Sequence, residues 1–154
     1  GYAARMAAAG VEALTLSAPV GAFGVVYAQT DFPQPWYAER GRGVYPVYHV
    51  LRGLAAAAGA AQLATAVSHG SSVQALAYRR DGAVVLWLAN LTGRAQRVRL
   101  EGLPGARARV TRLACATFED AAAGPERWDA SAEDRAADAV ELDAYAVARL
   151  EVTG

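Results

Sequence analysis

The pattern of apolar and polar positions changes once along the chain, at Gly59. Before that glycine, apolar residues recur at offsets of three and four, which is the spacing of one face of a helix. They are Val44, Val47, Tyr48, Leu51, Leu54, Ala55 and Ala58. With Pro46 near its start and Gly59 at its end, this stretch predicts a helix over residues 44–58. Its apolar stripe needs a surface to cover.

After Gly59 the period falls to two, which is typical of strands. The predicted strands cover residues 63–67, 73–80, 83–91, 96–100, 106–114 and 140–152. Asp81-Gly82 is a strong hairpin signal, and residues 83–91 are so apolar that a central strand covered on both faces is indicated. We expect consecutive strands to pair as an antiparallel meander within a β-sandwich, with a bend in the last strand at Asp143-Ala144. The acidic, Ala-rich residues 117–138 are expected to form a loop.

The first 59 residues follow a different order. Residues 2–9 predict a short helix, 11–17 a strand and 18–42 a long loop, before the helix at 44–58. Helix, strand and helix in this order are typical of a parallel α/β fold, but one parallel strand cannot form a domain. We therefore expect two parts, residues 1–59 and residues 60–154, the first of which needs neighbours outside this chain.

Composition narrows the function classes. The 154 residues are 54% hydrophobic and 19% charged, which indicates a folded chain, and the formal net charge is zero. No general electrostatic attraction to nucleic acid or to an anionic membrane follows, and no apolar run is long enough to span a bilayer. Cys115 is the single cysteine, and its apolar surroundings predict a small buried side chain. The start of the chain lacks the pattern of a signal peptide, and every basic residue is Arg, so we expect a cytoplasmic bacterial protein.

Candidate chemistry is concentrated in the loop sequence QTDFPQPWYAERGRG. The residues that could contact a substrate are Asp31, Trp36, Tyr37, Glu39 and Arg40. An aromatic ring with polar neighbours suits the stacking and hydroxyl recognition of a sugar. The alternative, which we favour, makes them ordinary anchors of the loop, with Trp36 packed at a domain interface.

Other polar residues carry little catalytic signal. His49 lies off the apolar stripe, and neither it nor His69 has a partner at metal-ligand spacing, so no metal and no cofactor are predicted. Glu119 and Asp120 are adjacent and do not suggest a facing carboxylate pair. Trp128 is either an anchor for the sandwich or an exposed platform, and we favour the anchor. No catalytic residue is predicted within this chain.

Three stretches resemble the D-apionate lactonase family. They are GVYPVYHVLRGLA at 43–55, VVLWLANLTGRAQRVRLEGLPG at 84–105 and ELDAYAVARLEV at 141–152. The resemblance implies that residues 2–9, 11–17 and 44–58 are the seventh helix, eighth strand and eighth helix of a (β/α)8 barrel, followed by a C-terminal β-sandwich. It also implies that loop 18–42 lies at the end of the barrel where such enzymes carry their chemistry. Family members can have an acidic residue just after the eighth strand, where this chain has Ala18 or Pro19.

The expected function is therefore that of a non-catalytic C-terminal domain in a glycoside-hydrolase-like protein, a sugar lactonase or glycosidase. It would pack on and complete the barrel. Its partner would be its own upstream barrel or a second copy of the chain, bound through the 44–58 helix. A sugar is a candidate ligand. Neither nucleic acid nor a membrane is expected as a partner. Alternatives are a stand-alone carbohydrate-binding module, disfavoured because Arg97, Arg99 and Glu101 occupy a polar face, and an oligomerisation domain.

Overall fold

The computed structural model describes residues 1–32 and 34–154. The helices are α1 (Tyr2–Ala8), α2 (Pro35–Arg40), α3 (Val47–Ala55), α4 (Phe118–Ala123) and α5 (Pro125–Ala130). The strands are β1 (Ala18–Val20), β2 (Gly24–Val26), β3 (Ala61–Leu63), β4 (Val73–Arg80), β5 (Ala83–Asn90), β6 (Gln96–Arg99), β7 (Arg107–Leu113), β8 (Glu133–Ala136), β9 (Ala139–Leu142) and β10 (Val147–Thr153). None of these helices is long and apolar enough to cross a membrane.

Two antiparallel sheets form the sandwich. The larger has six strands in the order β3-β4-β5-β10-β7-β8, and the smaller pairs β6 with β9. The β4–β5 hairpin confirms the turn signal, because Asp81 and Gly82 both have positive φ, at 49° and 79°. The antiparallel sandwich after a short helical segment is as predicted.

The predicted meander is wrong beyond that hairpin. The chain leaves β5 for the second sheet, returns at β7, and enters β10 between β5 and β7. The bend at Asp143-Ala144 is confirmed, since it separates β9 in one sheet from β10 in the other. These pairings are non-local, and hydrophobic alternation fixes which face of a strand is buried but not which strand it pairs with.

The larger sheet is covered on both faces, which explains the nearly continuous apolar run of β5. Its inner face contributes Leu86, Leu88 and Leu150 to a core shared with Val98 and Leu142 of the smaller sheet. Its outer face carries a second core beneath the helices, made of Tyr78, Val85, Trp87, Leu113, Ala121 and Trp128. The molecule therefore has three layers, with the helices on the side opposite β6 and β9.

Residues 117–138 do not form the predicted loop. They contain α4, α5 and β8, and β8 pairs with β7 at the edge of the larger sheet. Ala121, Ala122 and Trp128 are buried there, so the Ala-rich composition serves close packing on the sheet rather than an open loop. Cys115 is exposed on the turn before α4, which corrects the prediction of a buried thiol.

The first 59 residues are only partly regular. The helix over residues 2–9 is confirmed as α1, but residues 11–17 form no strand. A strand of a parallel sheet needs hydrogen-bonded neighbours, and within the described residues nothing pairs with this segment. The predicted helix over 44–58 is shorter, because Pro46 caps α3 and residues 56–59 form turns.

Candidate functional site

Helix α3 docks on the outer face of the larger sheet through a face that differs from its predicted apolar stripe. His49 is fully buried, and Val50 and Ala57 pack against the core around Trp87 and Trp128. Gly53 allows the closest approach. A Cβ at that position would meet Cζ2 of Trp87 well inside 3.0 Å and Cη2 at 3.1 Å. The helix can lie this near the sheet because position 53 has no side chain.

Trp128 is the centre of this contact and is fully buried. Its ring stacks on the His49 imidazole at 4.5 Å between centroids and lies parallel to Trp87 at 6.3 Å. Its indole Nε1 donates a hydrogen bond to the carbonyl of Arg112 at 2.9 Å. The guanidinium of Arg149 lies 4.8 Å from the ring centroid, a cation–π distance. The structure confirms Trp128 as an anchor of the sandwich.

An ion-pair network ties three elements together at the rim of the same contact. Arg52 of α3 donates to both carboxylate oxygens of Asp129 in α5, at 2.6 and 2.7 Å. Arg149 of β10 approaches the same carboxylate at 3.5 Å. A single guanidinium nitrogen, Nη2 of Arg52, reaches both oxygens, and charge-assisted hydrogen bonds of this length are among the stronger ones in proteins. The network therefore sets how α3 lies relative to the sheet.

His49 is held as a neutral ring. Its Nε2 lies 2.8 Å from the carbonyl of Ala121, to which only a protonated nitrogen can donate. Its Nδ1 is buried and has no hydrogen-bond partner among the described residues. Burial lowers the pKa of His49, with further lowering by Arg52 and Arg149 and opposition from the Ala121 bond and Asp129. The ring thus serves packing and a single hydrogen bond between α3 and α4.

The predicted apolar stripe of α3 is only partly covered, since Val44, Tyr48, Leu51 and Leu54 are half-buried and its other three residues are exposed. Val47 is 40% exposed, and Ala55 and Ala58 are exposed as well. Of the ten exposed large hydrophobic side chains in the described residues, eight lie within residues 2–47 and two in the sandwich. The eight are Tyr2, Val11, Leu14, Leu16, Val20, Phe23, Phe32 and Val47. One face of α3 is therefore docked, while part of the opposite face and parts of residues 11–32 present apolar surface to solvent.

The five candidate substrate residues fall into two groups. Trp36 and Tyr37 lie on α2 in an aromatic cluster with Tyr27, Tyr45 and Phe118. Tyr37 is 4% exposed, stacks on Tyr27 at 5.3 Å, and donates its hydroxyl hydrogen to the carbonyl of Val44 at 3.1 Å. Burial, helped by Tyr45, raises the pKa of Tyr37 to about 12.

Asp31 is exposed before α2, and Glu39 and Arg40 are exposed on α2 itself. The Arg40 guanidinium lies 4.1 Å from the Trp36 ring centroid and donates to the Trp36 carbonyl at 3.1 Å. The structure therefore brings Trp36, Tyr37 and Arg40 together, with Glu39 3.8 Å from Arg40. Trp36 also meets Phe118 edge-on at 5.3 Å, so it anchors α2 against the start of α4.

Sequence reasoning missed the residues that hold α3 on the sheet and the residue that fixes a corner of the sandwich. Gly53 carried a signal, because an isolated glycine inside a helical pattern usually has a packing reason. At the corner of the sandwich, the sequence around Asn90 only matches the glycosylation pattern Asn-X-Thr, yet Asn90 is 3% exposed, and its amide donates to the carbonyls of Arg94 and Asp143, each at 2.7 Å. Arg52 and Asp129 are 77 positions apart, and nothing local links them. Among the described residues no cluster of His, Cys, Asp or Glu could hold a metal ion.

Comparison with known proteins adds a family to this geometry. The family model described as D-apionate lactonase, C-terminal immunoglobulin-like domain, matches residues 70–150. The model described as D-apionate lactonase, TIM barrel domain, matches residues 1–59. The resemblance found in the sequence is thereby confirmed. No curated protein matches the chain.

Two solved structures are similar at low identity. One is a GH30 endoxylanase from Clostridium papyrosolvens C71, with 14% identity and a TM-score of 0.44, over 60% of this chain and 23% of that one. The other is a conserved exported protein from Bacteroides fragilis, with 15% identity and a TM-score of 0.43, over 58% of this chain and 17% of that one. The chain thus spans about a fifth of the length of these structures.

Proposed function

Because the chain belongs to the D-apionate lactonase family, we propose that it is a non-catalytic accessory part that packs on and completes the barrel of a longer protein. Its C-terminal immunoglobulin-like domain follows the end of a TIM barrel domain. The parent's activity, in this proposal, is hydrolysis of a sugar-derived lactone or a glycoside in the bacterial cytoplasm. The catalytic carboxylates come from barrel strands outside these 154 residues.

The observation that carries the proposal is the division of α3 into two faces. One face is fixed on the sandwich by His49, Gly53 and the Arg52–Asp129 pair. The other exposes Val47, Ala55 and Ala58. An outer helix of a (β/α)8 barrel buries one face on the barrel strands. A helix that is apolar on both sides suits a position between a barrel and a second domain.

Residues 11–17 support the same conclusion. Their sequence predicts a strand, yet they are irregular here, and Val11, Leu14 and Leu16 are 37–43% exposed. Strand structure in this segment requires at least one hydrogen-bonded neighbour. We propose that the preceding barrel strands supply it, so that this segment becomes a strand of the closed barrel.

Loop 18–42, which includes α2, has a supporting role in this proposal. Tyr37, which is buried and bonded to the Val44 carbonyl, positions the loop, and Trp36 anchors it on Phe118. The exposed side chains of Asp31, Glu39 and Arg40 are the ones available to a sugar ligand at the mouth of the barrel.

The test uses one pair of substitutions in two lengths of protein. Val47→Glu and Ala55→Glu place charges on the exposed face of α3, and Ala95→Glu places the same charge on an exposed turn of the sandwich as the control. In the 154-residue chain we expect all three to leave the free energy of unfolding within about 0.5 kcal/mol of its starting value. In the longer protein the two α3 substitutions should cost about 2 kcal/mol or more, since they bury a charge, and Ala95→Glu should not. Equal effects of all three in both lengths would contradict the proposal.

Sedimentation of the 154-residue chain separates the alternatives. Exposed apolar surface of this extent favours association, which the α3 substitutions should reduce. The other outcome is that the chain forms a dimer of fixed stoichiometry that both α3 substitutions abolish. If those substitutions also have no effect in the longer protein, the two results would favour an oligomerisation domain. Saturable quenching of Trp fluorescence by a sugar would favour a binding module.

A further inference from the structure

Helix α4 belongs to the immunoglobulin-like domain, yet residues from the first part of the chain complete its C-terminal end. The carbonyl of Ala121 accepts a hydrogen bond from Nε2 of His49 at 2.8 Å, and the carbonyl of Ala122 accepts one from the Val44 N–H at 3.0 Å. The last carbonyls of a helix have no partner within it, and Ala121 and Ala122 are shielded from water. The two parts of the chain therefore satisfy each other's polar groups at this point.

Gly43 makes this close approach possible. A Cβ at position 43 would lie 2.8 Å from the carbonyl oxygen of Ala122 and 2.8 Å from Cδ1 of the Tyr37 ring. The φ of Gly43 is also positive, at 150°, a conformation that favours glycine. Because position 43 has no side chain, the backbone there contacts both the end of α4 and the Tyr37 ring of α2.

Aromatic rings make a second contact between α4 and α2. Phe118, the first residue of α4, meets the Trp36 ring edge-on at 5.3 Å and the Tyr37 ring at 6.1 Å. Ala122 is a buried member of the same cluster. Phe118 and Ala122 are four positions apart and so lie on one face of α4. Helix α2 therefore packs on a full turn of α4.

Other hydrogen bonds of this region stay within it. The Tyr27 N–H donates to the Gly43 carbonyl at 3.0 Å, and the Tyr37 hydroxyl donates to the Val44 carbonyl at 3.1 Å. In the part of the chain that the structure describes, the bond from Val44 to Ala122 is the one hydrogen bond that joins residues 18–45 to the sandwich. The placement of α2 on the sandwich thus depends on α4.

We propose that α4 positions α2, and through it the exposed side chains of Glu39 and Arg40, with Phe118 as the positioning residue. This rests on the proposed function, in which those two side chains are available to a sugar at the mouth of the barrel. The Arg40 guanidinium lies 4.1 Å from the Trp36 ring centroid, so a change at Phe118 is passed to Arg40 through the Trp36 ring. The immunoglobulin-like domain then shapes the ligand site as well as covering the barrel.

Distances between two spin labels on the 154-residue chain test the positioning. Cys115→Ser removes the native thiol, and the labels are attached at Ala38→Cys on α2 and Arg79→Cys on β4, which are both exposed positions. This background should give one narrow distance distribution. Phe118→Ala should shift or broaden the distribution, and Phe118→Leu, which keeps most of the apolar volume, should largely restore it. The control is Val98→Ala on the other side of the larger sheet, which should leave the distribution narrow.

A second variant reaches the same contact from the other side. Gly43→Ala places a methyl group against the Ala122 carbonyl and the Tyr37 ring, so it should shift or broaden the same distribution. A distribution that Phe118→Ala leaves unchanged, or that Val98→Ala broadens equally, would overturn the inference.

The NMR signals of Arg40 report directly on the charge that α4 is proposed to place. The Cδ protons of Arg40 should show a ring-current shift from the Trp36 ring, which Trp36→Ala abolishes. Phe118→Ala should reduce this shift, and Val98→Ala should not. A full ring-current shift in Phe118→Ala would contradict the transmission from Phe118 to Arg40.

The α3 substitutions separate this inference from the proposed function. If Val47→Glu destabilises the longer protein but Phe118→Ala leaves the label distances unchanged, the barrel proposal stands and the positioning of α2 by α4 fails. If Val47→Glu has no effect in the longer protein while Phe118→Ala shifts the label distances, the barrel proposal fails and the positioning of α2 by α4 stands.

Discussion

Substituting Gly53 with alanine should destabilise the protein, although the same change inside an ordinary helix stabilises it. Gly→Ala in a helix interior gains about 1 kcal/mol from backbone entropy. At position 53, however, the new methyl group would overlap the ring of Trp87, with Cη2 at 3.1 Å and Cζ2 closer still. Trp87 is 5% exposed and lies against Trp128, so it has little room to move.

The size of the effect follows from the movement that the methyl group requires. Carbon atoms pack at about 3.5–4.0 Å, so α3 would have to withdraw from the sheet by roughly 1 Å. Overpacking of this kind costs about 1–3 kcal/mol, and the overlap places this site in the upper half of that range. After the helix gain is subtracted, we expect a net loss of about 1–2 kcal/mol. For a chain of this length that lowers Tm by about 2–8 °C.

Urea unfolding followed by tryptophan fluorescence measures the change. The matched background is Trp87→Phe, which removes the part of the ring that the methyl group meets. There Gly53→Ala should become neutral or stabilising, and the coupling between the two sites should exceed about 0.5 kcal/mol. A Gly53→Ala protein that is more stable than its parent in the original background would refute the docking geometry described for α3.

Three further changes probe the same structure. Asn90→Ala should lower the free energy of unfolding in urea by about 2–4 kcal/mol, because it leaves buried carbonyls without the hydrogen bonds that the amide donates. Asn90→Asp should cost at least as much. Trp128→Ala should cost about 3–5 kcal/mol by the same measurement, since a fully buried indole is removed. Between pH 7 and 5 the unsubstituted chain should lose more stability than the His49→Gln variant. Because the folded-state pKa of His49 lies below its usual 6.5, the unfolded chain binds more protons, and stability falls as pH drops through 6.5.

Each of these has a clear contrary result. An Asn90→Asp protein as stable as its parent would show that the amide does not hold the corner between β9 and β10. A Trp128→Ala loss below about 1 kcal/mol would show that the indole is not packed. Identical pH profiles for the parent and His49→Gln would show that the ring is not held neutral by burial.

Local signals in the sequence predicted the local parts of the fold. The Asp81-Gly82 hairpin was predictable because both residues tolerate the positive φ that the turn requires. The burial of β5 on both faces followed from its apolar run, and α1 from its composition. The helices within residues 118–130 were harder to predict, because short Ala-rich and acidic helices show no apolar stripe in the sequence. They are held by the burial of Trp128 and Ala121 against the sheet.

Features that depend on distant partners were not predictable. The pairing of β6 with β9 and the insertion of β10 between β5 and β7 join residues far apart in the chain. The docked face of α3 was missed for a related reason. His49 and Gly53 contribute through stacking and close approach, neither of which a hydropathy pattern records. The stripe that hydropathy did indicate lies on the opposite face, which is half-buried and exposes Val47, Ala55 and Ala58.

The gene upstream of the Gly1 codon provides the most direct test of the central claim, that α3 is the last helix of a barrel held between the barrel and an immunoglobulin-like domain. The account predicts that the reading frame stays open for roughly 190 more residues, the remainder of a typical (β/α)8 domain. That stretch should alternate strand and helix patterns and carry acidic residues at the ends of middle strands. A start codon directly before Gly1 would contradict the claim, because residues 1–59 would then belong to a small independent protein.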